Sequence, residues 1–464
     1  MESSPSGTRR RARAAIRRTT SGVTVEGRED IRKIVSRKTS LAAPGGRRRA
    51  ARPPGHRPRA ARERLARLAS EPDLAELARV AASHGAHAWI VGGALRDLLL
   101  GRDAPEVDVA VTGDGGAIAR EMESRGQGRA ILLSGARRPR VFRIAGRSRT
   151  MDVAEVEGGS IETDLARRDF TVNAMAAELP SIALLDPYGG ILDLSRRRLR
   201  MVSENNLADD PLRALRGARL FATHGLVPDR ETSRACRRVA AALARVAPER
   251  VQSELAKLLE APHAAAALSW AAVNGLLEPA FRPGAADHEW REIARASAAL
   301  DQVGRDRLDP TRRRRLRLAV LAARLGFSPR EAASWLRRRR WGNREAEEVS
   351  RLLDLADAAS RAGRGDDVWR WLLDAGDRAR DSLRLLEILR PRSRHLARRL
   401  RGLVARRRPL PDVRGADVLR WLGVPPGPEV GRLLDTIRLE AIAGRIRTRE
   451  DARKWLRAHV RTQN

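Results

Sequence analysis

Two acidic side chains lie two residues apart in a short apolar segment of this 464-residue chain, at Glu106 and Asp108. The alternation of residue types over Val107 to Val111 predicts a β-strand, and side chains two apart on a strand point to the same face. Two carboxylates held side by side repel each other unless a cation lies between them. Hard divalent ions such as Mg2+ take oxygen ligands, commonly one or two carboxylates together with substrate phosphates. The pair therefore predicts a Mg2+ site.

A glycine turn ahead of this strand offers a place for the phosphate. Gly92 and Gly93 follow a short apolar strand, Trp89 to Val91, and a helix is predicted after them. Backbone N–H groups of a glycine turn can approach a phosphate closely, at the start of a helix whose dipole favours an anion. Arg96 stands one turn into the helix, where its guanidinium could take up phosphate oxygens. The combination indicates a metal-dependent site that handles phosphates, although each piece alone is common in solvated turns.

The order and spacing of these groups, GGxxRD and then GRxxxExD, resemble motif A of the class II nucleotidyltransferases, the family of tRNA CCA-adding enzymes and bacterial poly(A) polymerases. That family has Asp-x-Asp where this chain has Glu106 and Asp108, so the first carboxylate stands one methylene further out. The resemblance implies that both are catalytic metal ligands. It also implies a third catalytic carboxylate on a neighbouring strand, for which Asp152 is the candidate. The alternative for Asp152 is an exposed acid at a strand end.

A second segment, SIETDLARRDFTVNAMA at residues 160–176, resembles the family's motif B. The resemblance implies that Arg168 binds the triphosphate by charge-assisted hydrogen bonds and that Asp169 accepts a hydrogen bond from a ribose hydroxyl. Asn173 lies one turn further on and either joins the nucleotide site or braces Asp169. The alternative for the whole run is a solvated charge cluster.

A third segment, from Asp209 to Arg213, falls where the family has Glu-Asp-x-x-Arg. Asp210 and Arg213 are neighbours on one helical face. A carboxylate can accept from the exocyclic amino group of C or A, and a guanidinium can donate to the adjacent ring nitrogen. G and U present the opposite groups, so the pair could select C and A without a template. The alternative is that Asp210 only caps the helix, with a proline at the first position. The resemblance makes Arg216 and Arg219 phosphate contacts.

Charge and composition favour a nucleic-acid partner. The formal net charge is +34, and a charge this far from zero points to a polyanion. The single cysteine, Cys236, excludes an internal disulfide and a cysteine-rich zinc site. No stretch approaches the roughly 18 uncharged apolar residues of a membrane span. We expect a cytoplasmic protein, with no membrane association and no stable protein partner.

The predicted fold is an α+β nucleotidyltransferase head with a polymerase-β-like mixed sheet, followed by an all-α neck, body and tail. The change from mixed strand and helix signals to helical spacing alone sets the main boundary. The expected parts are a disordered basic leader (1–70), the catalytic head (71–205), a helical neck with the base-reading motif (206–275), a helical body (276–408) and a helical, tRNA-binding tail (409–464).

The expected activity is template-independent addition of C, A or both to the 3′ end of tRNA, from CTP and ATP, with Mg2+ and release of pyrophosphate. Partial addition (CC only or A only) stays open, because it depends on a flexible loop placed between residues 126 and 140. Poly(A) synthesis is the alternative that the sequence favours less, because residues 114–144 lack the arginine-led signature expected of the poly(A) branch. A catalytically weak RNA-binding relative is the alternative outside the enzymes, since Glu106 departs from the family's Asp.

Overall fold

The computed structural model describes residues 58–133, 139–157, 159–281, 296, 299, 308–363, 366–406 and 409–461. Most of the expected leader, residues 1–57, and the centre of the expected flexible loop, residues 134–138, lie outside the described residues.

The predicted end of the disordered leader, at residue 70, lies too far along the chain, because its last part forms helix α1 (Pro58–Ala69). Leu65 and Leu68 are buried, and the Arg64 guanidinium donates to the carbonyl of Leu98 at 3.2 Å. Apolar residues at helical spacing are enough to build a buried face even among many arginines. Average composition concealed this pattern.

A seven-stranded mixed sheet forms the head and confirms the predicted fold class. Its strands are β1 (Ala88–Val91), β2 (Glu106–Val111), β3 (Arg129–Leu132), β4 (Val141–Ala145), β5 (Thr150–Glu155), β6 (Ala176–Leu179) and β7 (Leu184–Leu185). Their order across the sheet is β3-β4-β5-β2-β1-β6-β7. β2 and β5 pair in parallel, and the other neighbours pair antiparallel. The central position of β2 places its side chains between two strands that can contribute partners.

The two faces of the sheet have different surroundings. Val107 and Val109 of β2 are fully buried in the main core, while Ala110 belongs to a smaller buried cluster on the opposite face. Glu106 and Asp108 alternate with the valines, so they lie on the face of the smaller cluster. The head helices and one 3₁₀ turn are α2 (Pro72–Ser83), α3 (Gly92–Leu99), α4 (Gly115–Ser124), α5 (Ile161–Ala166), Thr171–Asn173 and α6 (Gly190–Ser195).

The rest of the described chain is mostly helical, as predicted. Its helices are α7 (Glu204–Asp209), α8 (Leu212–His224), α9 (Arg230–Val239), α10 (Pro248–Glu260), α11 (Ala264–Val273), α12 (Leu277–Phe281), α13 (Pro310–Arg324), α14 (Pro329–Arg338), α15 (Asn343–Arg361), α16 (Asp366–Ala375), α17 (Ala379–Leu389), α18 (Arg394–Ala405), α19 (Gly415–Leu422), α20 (Pro428–Ile442) and α21 (Arg449–Arg461). Short 3₁₀ turns occur at Ala240–Arg245, Gly376–Arg378 and Pro391–Ser393, and a small parallel pair joins β8 (Arg198–Leu199) to β9 (Val227–Pro228).

Helix α8 occupies the junction between the sheet and the helical part. It packs against α10 and α11, and Leu215 and Ala218 are fully buried. At the far end of the chain, α19 to α21 share a separate buried cluster that includes Val418, Ile437 and Leu456. Within the described ranges, no helix is long and apolar enough to cross a membrane.

Candidate active site

A line of polar side chains crosses three adjacent strands, on the face of the sheet that carries the smaller buried cluster. Asp108 on β2 lies directly opposite Asp152 on β5 in the parallel register. Arg143 on β4 lies directly opposite Asp152 in the antiparallel register. Residues opposite each other share a face, so the three side chains stand side by side. Glu106, two residues before Asp108, extends the acidic part of the line along β2.

The glycine turn lies against this line. Gly92 has φ of +67°, a left-handed conformation that favours glycine. A Cβ added there would come within 2.9 Å of Nη1 of Arg168 and 3.2 Å of Oδ2 of Asp108. The turn therefore brings together the first and second motifs, which are far apart in sequence. Asp164 orients the guanidinium, because its Oδ2 accepts from Nε and Nη2 of Arg168 at 3.0 and 2.8 Å.

The charges around Asp108 favour a cation. Desolvation raises the pKa of Asp108 above its usual value; Arg168 opposes this, and the neighbouring charges of Asp152 and Glu106 raise it further. Glu106 and Asp108 are both exposed. Among the described residues, neither carboxylate has a hydrogen-bond or ion-pair partner. A divalent ion bound by both carboxylates would relieve their repulsion.

A metal site made of protein groups alone is not present in the described ranges, where no cluster of three or more His, Cys, Asp or Glu side chains could hold an ion. The donor set fits the other common arrangement, in which one or two carboxylates bind the ion and substrate phosphates complete its shell. Asp152, the candidate third carboxylate, is engaged by Arg143: Nε and Nη2 donate to Oδ1 and Oδ2, both at 2.8 Å.

A buried network lies behind the turn. The Arg96 guanidinium is buried, where it donates to Oδ1 of Asn173 at 2.6 Å and to Oδ1 of Asp97 at 3.0 Å. Nδ2 of Asn173 donates to Oδ1 of Asp169 at 2.9 Å. Although Arg96 and Asn173 were predicted as nucleotide contacts, here they brace one another and the backbone that carries Arg168.

Asp169 extends the network into the helical part of the chain. It is 4% exposed, with Oδ1 accepting from the Phe170 N–H at 2.8 Å and Oδ2 from Nη1 of Arg216 at 3.0 Å. Burial alone would raise the pKa of Asp169, but Arg216 and these hydrogen bonds hold it below its usual range. The carboxylate is therefore an ionised internal brace in this arrangement. Both oxygens accept hydrogen bonds from protein donors in this buried position, and the contact with a ribose hydroxyl stays a prediction.

Glu254 on α10 completes the contacts of α8. Its carboxylate accepts from Nε of Arg219 at 2.5 Å and from Nε of Arg216 at 3.4 Å, and its side chain is 12% exposed. Arg216 and Arg219 thus form a half-buried pair held by one carboxylate, on the side of α8 that also reaches Asp169. Their position next to the second motif is consistent with the predicted phosphate contacts.

The predicted base-reading pair lies at the start of α8. Oδ2 of Asp210 accepts from Nη2 of Arg250 at 2.9 Å, and Oδ1 accepts from the Leu212 N–H at 3.3 Å. The second contact is the capping role that was the alternative for Asp210. Nη1 of Arg213 donates to the carbonyl oxygens of Arg167 and Asn206 at 2.8 and 3.0 Å. These contacts place the pair beside the second motif.

Sequence reasoning missed four residues of this site. The four are Arg143, Asp164, Arg250 and Glu254. Asp164 could have been found, because it precedes Arg168 by one helical turn. The others meet their partners through strand register or helix packing, and no local pattern indicates such contacts.

Comparisons with known proteins show the family to which the chain is similar. A family model described as poly A polymerase head domain matches residues 88–200, and one described as probable RNA and SrmB-binding site of polymerase A matches residues 225–288. The chain is 31% identical over 431 residues to a CC-adding tRNA nucleotidyltransferase of Geobacter sulfurreducens, covering 85% of this chain and 96% of that protein. It is 31% identical over 405 residues to a CCA-adding enzyme of Geobacillus stearothermophilus, and this match covers 82% of this chain and 95% of that protein.

Among solved structures, the crystal structure of the Bacillus stearothermophilus CCA-adding enzyme in complex with CTP matches with a TM-score of 0.64 at 27% identity. That match covers 85% of this chain and 99% of the other. The similarity therefore extends over the helical part as well as the sheet.

Proposed function

This chain belongs to the family of CC- and CCA-adding tRNA nucleotidyltransferases, and from this premise we propose that it adds C, A or both to the 3′ end of tRNA. CTP and ATP are the proposed substrates. The 3′-oxygen of the RNA would form a bond to the α-phosphorus of the nucleotide, and pyrophosphate would leave. The observation that carries the proposal is the juxtaposition of the acid pair, the Gly92 turn and Arg168 on one face of the sheet.

Nucleotidyltransferases of this family use divalent metal ions, and we propose Mg2+ as the ion, held by Glu106 and Asp108. When bound, Mg2+ would ease deprotonation of the RNA hydroxyl and offset charge on the leaving pyrophosphate. The longer side chain of Glu106 lies at the exposed start of β2, where its carboxylate has room to adjust. The replacement of Asp by Glu is therefore compatible with this role.

Arg168 is the proposed triphosphate ligand. Asp164 holds its guanidinium against the Gly92 turn, and backbone N–H groups at the start of α3 provide further donors for an anion. A planar guanidinium can donate two hydrogen bonds to phosphate oxygens at once. We propose that Arg216 and Arg219 add positive charge from α8, while Arg96, Asn173 and Asp169 hold these groups in place.

Base choice is proposed to depend on Asp210 and Arg213. In the described structure Asp210 pairs with Arg250, and Arg213 binds two carbonyl oxygens. A base that reads the pair would exchange these contacts for its amino group and ring nitrogen. C and A can make both exchanges, whereas G and U would leave polar groups unpaired, which is costly in a desolvated site.

The test is an incorporation assay with one labelled nucleotide at a time. Purified protein and Mg2+ are incubated with tRNAs that lack all of the terminal CCA, its last two nucleotides or its last nucleotide. We expect CTP to be used on the first two substrates, ATP on the third, or one of these alone, and UTP and GTP to be rejected. A long A tail on unrelated RNA would instead support poly(A) synthesis. RNA binding without incorporation would identify a catalytically weak relative.

A further inference from the structure

Asp152 differs from the other two acids of the site in its partners. The carboxylates of Glu106 and Asp108 have no hydrogen-bond or ion-pair partner among the described residues, whereas both oxygens of Asp152 accept from the Arg143 guanidinium at 2.8 Å. This two-bond geometry is the strong form of an arginine–carboxylate contact. The side chain of Asp152 is 22% exposed and that of Arg143 is 38% exposed, so the pair is partly sheltered from water.

The register of the sheet brings Arg143 close to the rest of the acidic line. Arg143 and Asp108 are separated by one strand, β5. Neighbouring strands are about 4.8 Å apart, so the two backbones are roughly 10 Å apart. Because the Arg143 side chain extends towards Asp152, its guanidinium lies closer to the carboxylate of Asp108 than the two backbones are to each other. The pKa of Arg143 is raised above its usual value, first by the hydrogen bonds and charge of Asp152 and also by Glu106 and Asp108.

We propose that Arg143 is a built-in counter-cation of this site, which neutralises Asp152 and weakens the binding of divalent metal to Glu106 and Asp108. A guanidinium cannot lose its proton in a protein, so its positive charge persists at any working pH. The nucleotide-free protein would then bind the ion through two carboxylates rather than three. This inference rests on the proposed function, because it takes Glu106 and Asp108 as metal ligands.

The charge of Arg143 would lower metal affinity by an amount that electrostatics can estimate. One positive charge about 8 Å from a divalent ion, at an effective dielectric between that of water and that of a protein surface, changes affinity by about tenfold. Its removal would also free Asp152 to bind the ion. If Arg143 instead oriented Asp152 as a metal ligand, as outer-shell partners commonly do, its removal would weaken binding.

The experiment is Mn2+ binding to the nucleotide-free, full-length protein, followed by the electron paramagnetic resonance signal of free Mn2+. Arg143→Gln is expected to bind Mn2+ about tenfold more tightly than the wild type. Arg120→Gln is the matched control: it removes one exposed arginine from α4, which packs on the other face of the sheet. It should leave affinity unchanged. The double variant Arg143→Gln/Asp152→Asn should lose most of the gain.

Unchanged or weaker binding in Arg143→Gln would overturn the inference. Arg143→Lys provides a second measurement if the first variant does not fold. Lysine keeps the positive charge but not the two-bond geometry, so the affinity for Mn2+ should stay near that of the wild type. A clear loss in Arg143→Lys would show that orientation of Asp152 matters more than charge. Asp108→Asn reports separately on the proposed function. If it binds Mn2+ as well as the wild type does, the metal site itself is misassigned, whatever Arg143 does.

Discussion

The guanidinium of Arg216 donates to the carboxylate of Asp169 at 3.0 Å. This contact joins α8, which also carries Arg213, to the segment that carries Arg168, so one ion pair connects the helix proposed to read the base with the segment proposed to bind the triphosphate. Glu254 supports Arg216 from α10. A change in one part of this network should therefore affect both stability and nucleotide binding.

Glu254→Gln tests that coupling. The substitution removes the carboxylate that pairs with Arg216 and Arg219, and both guanidinium groups would remain half-buried without it. We expect a loss of about 1–3 kcal/mol in the free energy of unfolding and a raised KM for CTP, both measured on the same preparation. Glu249→Gln is the control, since Glu249 is 60% exposed on the same helix and pairs with the exposed Arg340. Equal stability of the two variants would show that Glu254 does not hold the pair.

Asp210→Ala separates base reading from helix capping. If Asp210 accepts the amino group of C or A, the variant should use CTP and ATP more slowly and exclude UTP and GTP less strictly, because nothing then disfavours a carbonyl at that position. Loss of the cap should also cost about 1 kcal/mol of stability. Thermal unfolding and single-nucleotide incorporation measure the two effects.

Asp229→Ala is the matched control for the cap. Asp229 caps α9 by accepting from the Thr232 N–H at 2.8 Å, and it has no proposed role in base choice. It should lose a similar amount of stability and keep the nucleotide preference. An Asp210→Ala enzyme that behaves in the same way would remove Asp210 from the base-reading site.

His224, at the end of α8, should make stability depend on pH. Burial, together with nearby arginines, lowers its pKa to about 2. Nη1 of Arg102 donates to Nδ1 of His224 at 3.1 Å, so that nitrogen must be an unprotonated acceptor. Oδ1 of Asp97 lies 3.7 Å from Nε2 of His224, but this single carboxylate does not offset the effect of the arginines on the pKa of His224. The unfolded chain takes up a proton near pH 6.5, so stability falls as the pH falls below that value.

His224→Asn should remove this contribution while keeping an acceptor for Arg102. Between about pH 7 and pH 5 the wild type is expected to lose about 2 kcal/mol more than the variant in the free energy of unfolding, measured by urea denaturation. The control is His395→Asn, which replaces an exposed histidine. This variant should retain the wild-type dependence of stability on pH. Parallel losses in wild type and His224→Asn would mean that His224 is protonated in the folded protein.

Local patterns in the sequence were sufficient to predict the site's framework. The alternation in β2 correctly placed Glu106 and Asp108 on one face. The glycine pair correctly marked the start of α3, although the helix already begins at Gly92 and no separate turn precedes it. Ser328 and Glu331, three residues apart at the start of α14, form a capping box. Each of these features depends on residues within about four positions of one another, where backbone geometry fixes which side chains meet.

Contacts between distant segments could not be predicted in this way. Arg143 meets Asp152 because a hairpin sets their register, and Arg250 meets Asp210 because α10 packs on α8. Arg96 was predicted to face a phosphate from its place in the helix, and its buried guanidinium donates to Asn173, a contact with a residue 77 positions away. The roles assigned to individual site residues stay predictions, and the variants at Asp108, Arg143, Asp210 and Glu254 test those of these four residues.

The central claim is that Asp108 holds the metal ion of a tRNA nucleotidyltransferase. The most direct test is single-turnover incorporation of CMP into tRNA lacking its CCA end by Asp108→Asn, with tRNA affinity measured in parallel. The control is Asp103→Asn, which changes an exposed acid in the segment that leads into β2. We predict that Asp108→Asn loses at least about a thousandfold in rate, equivalent to about 4 kcal/mol, and binds tRNA as the control does. Retention of more than about a tenth of the wild-type rate, equivalent to a loss of less than about 1.4 kcal/mol, would contradict the claim.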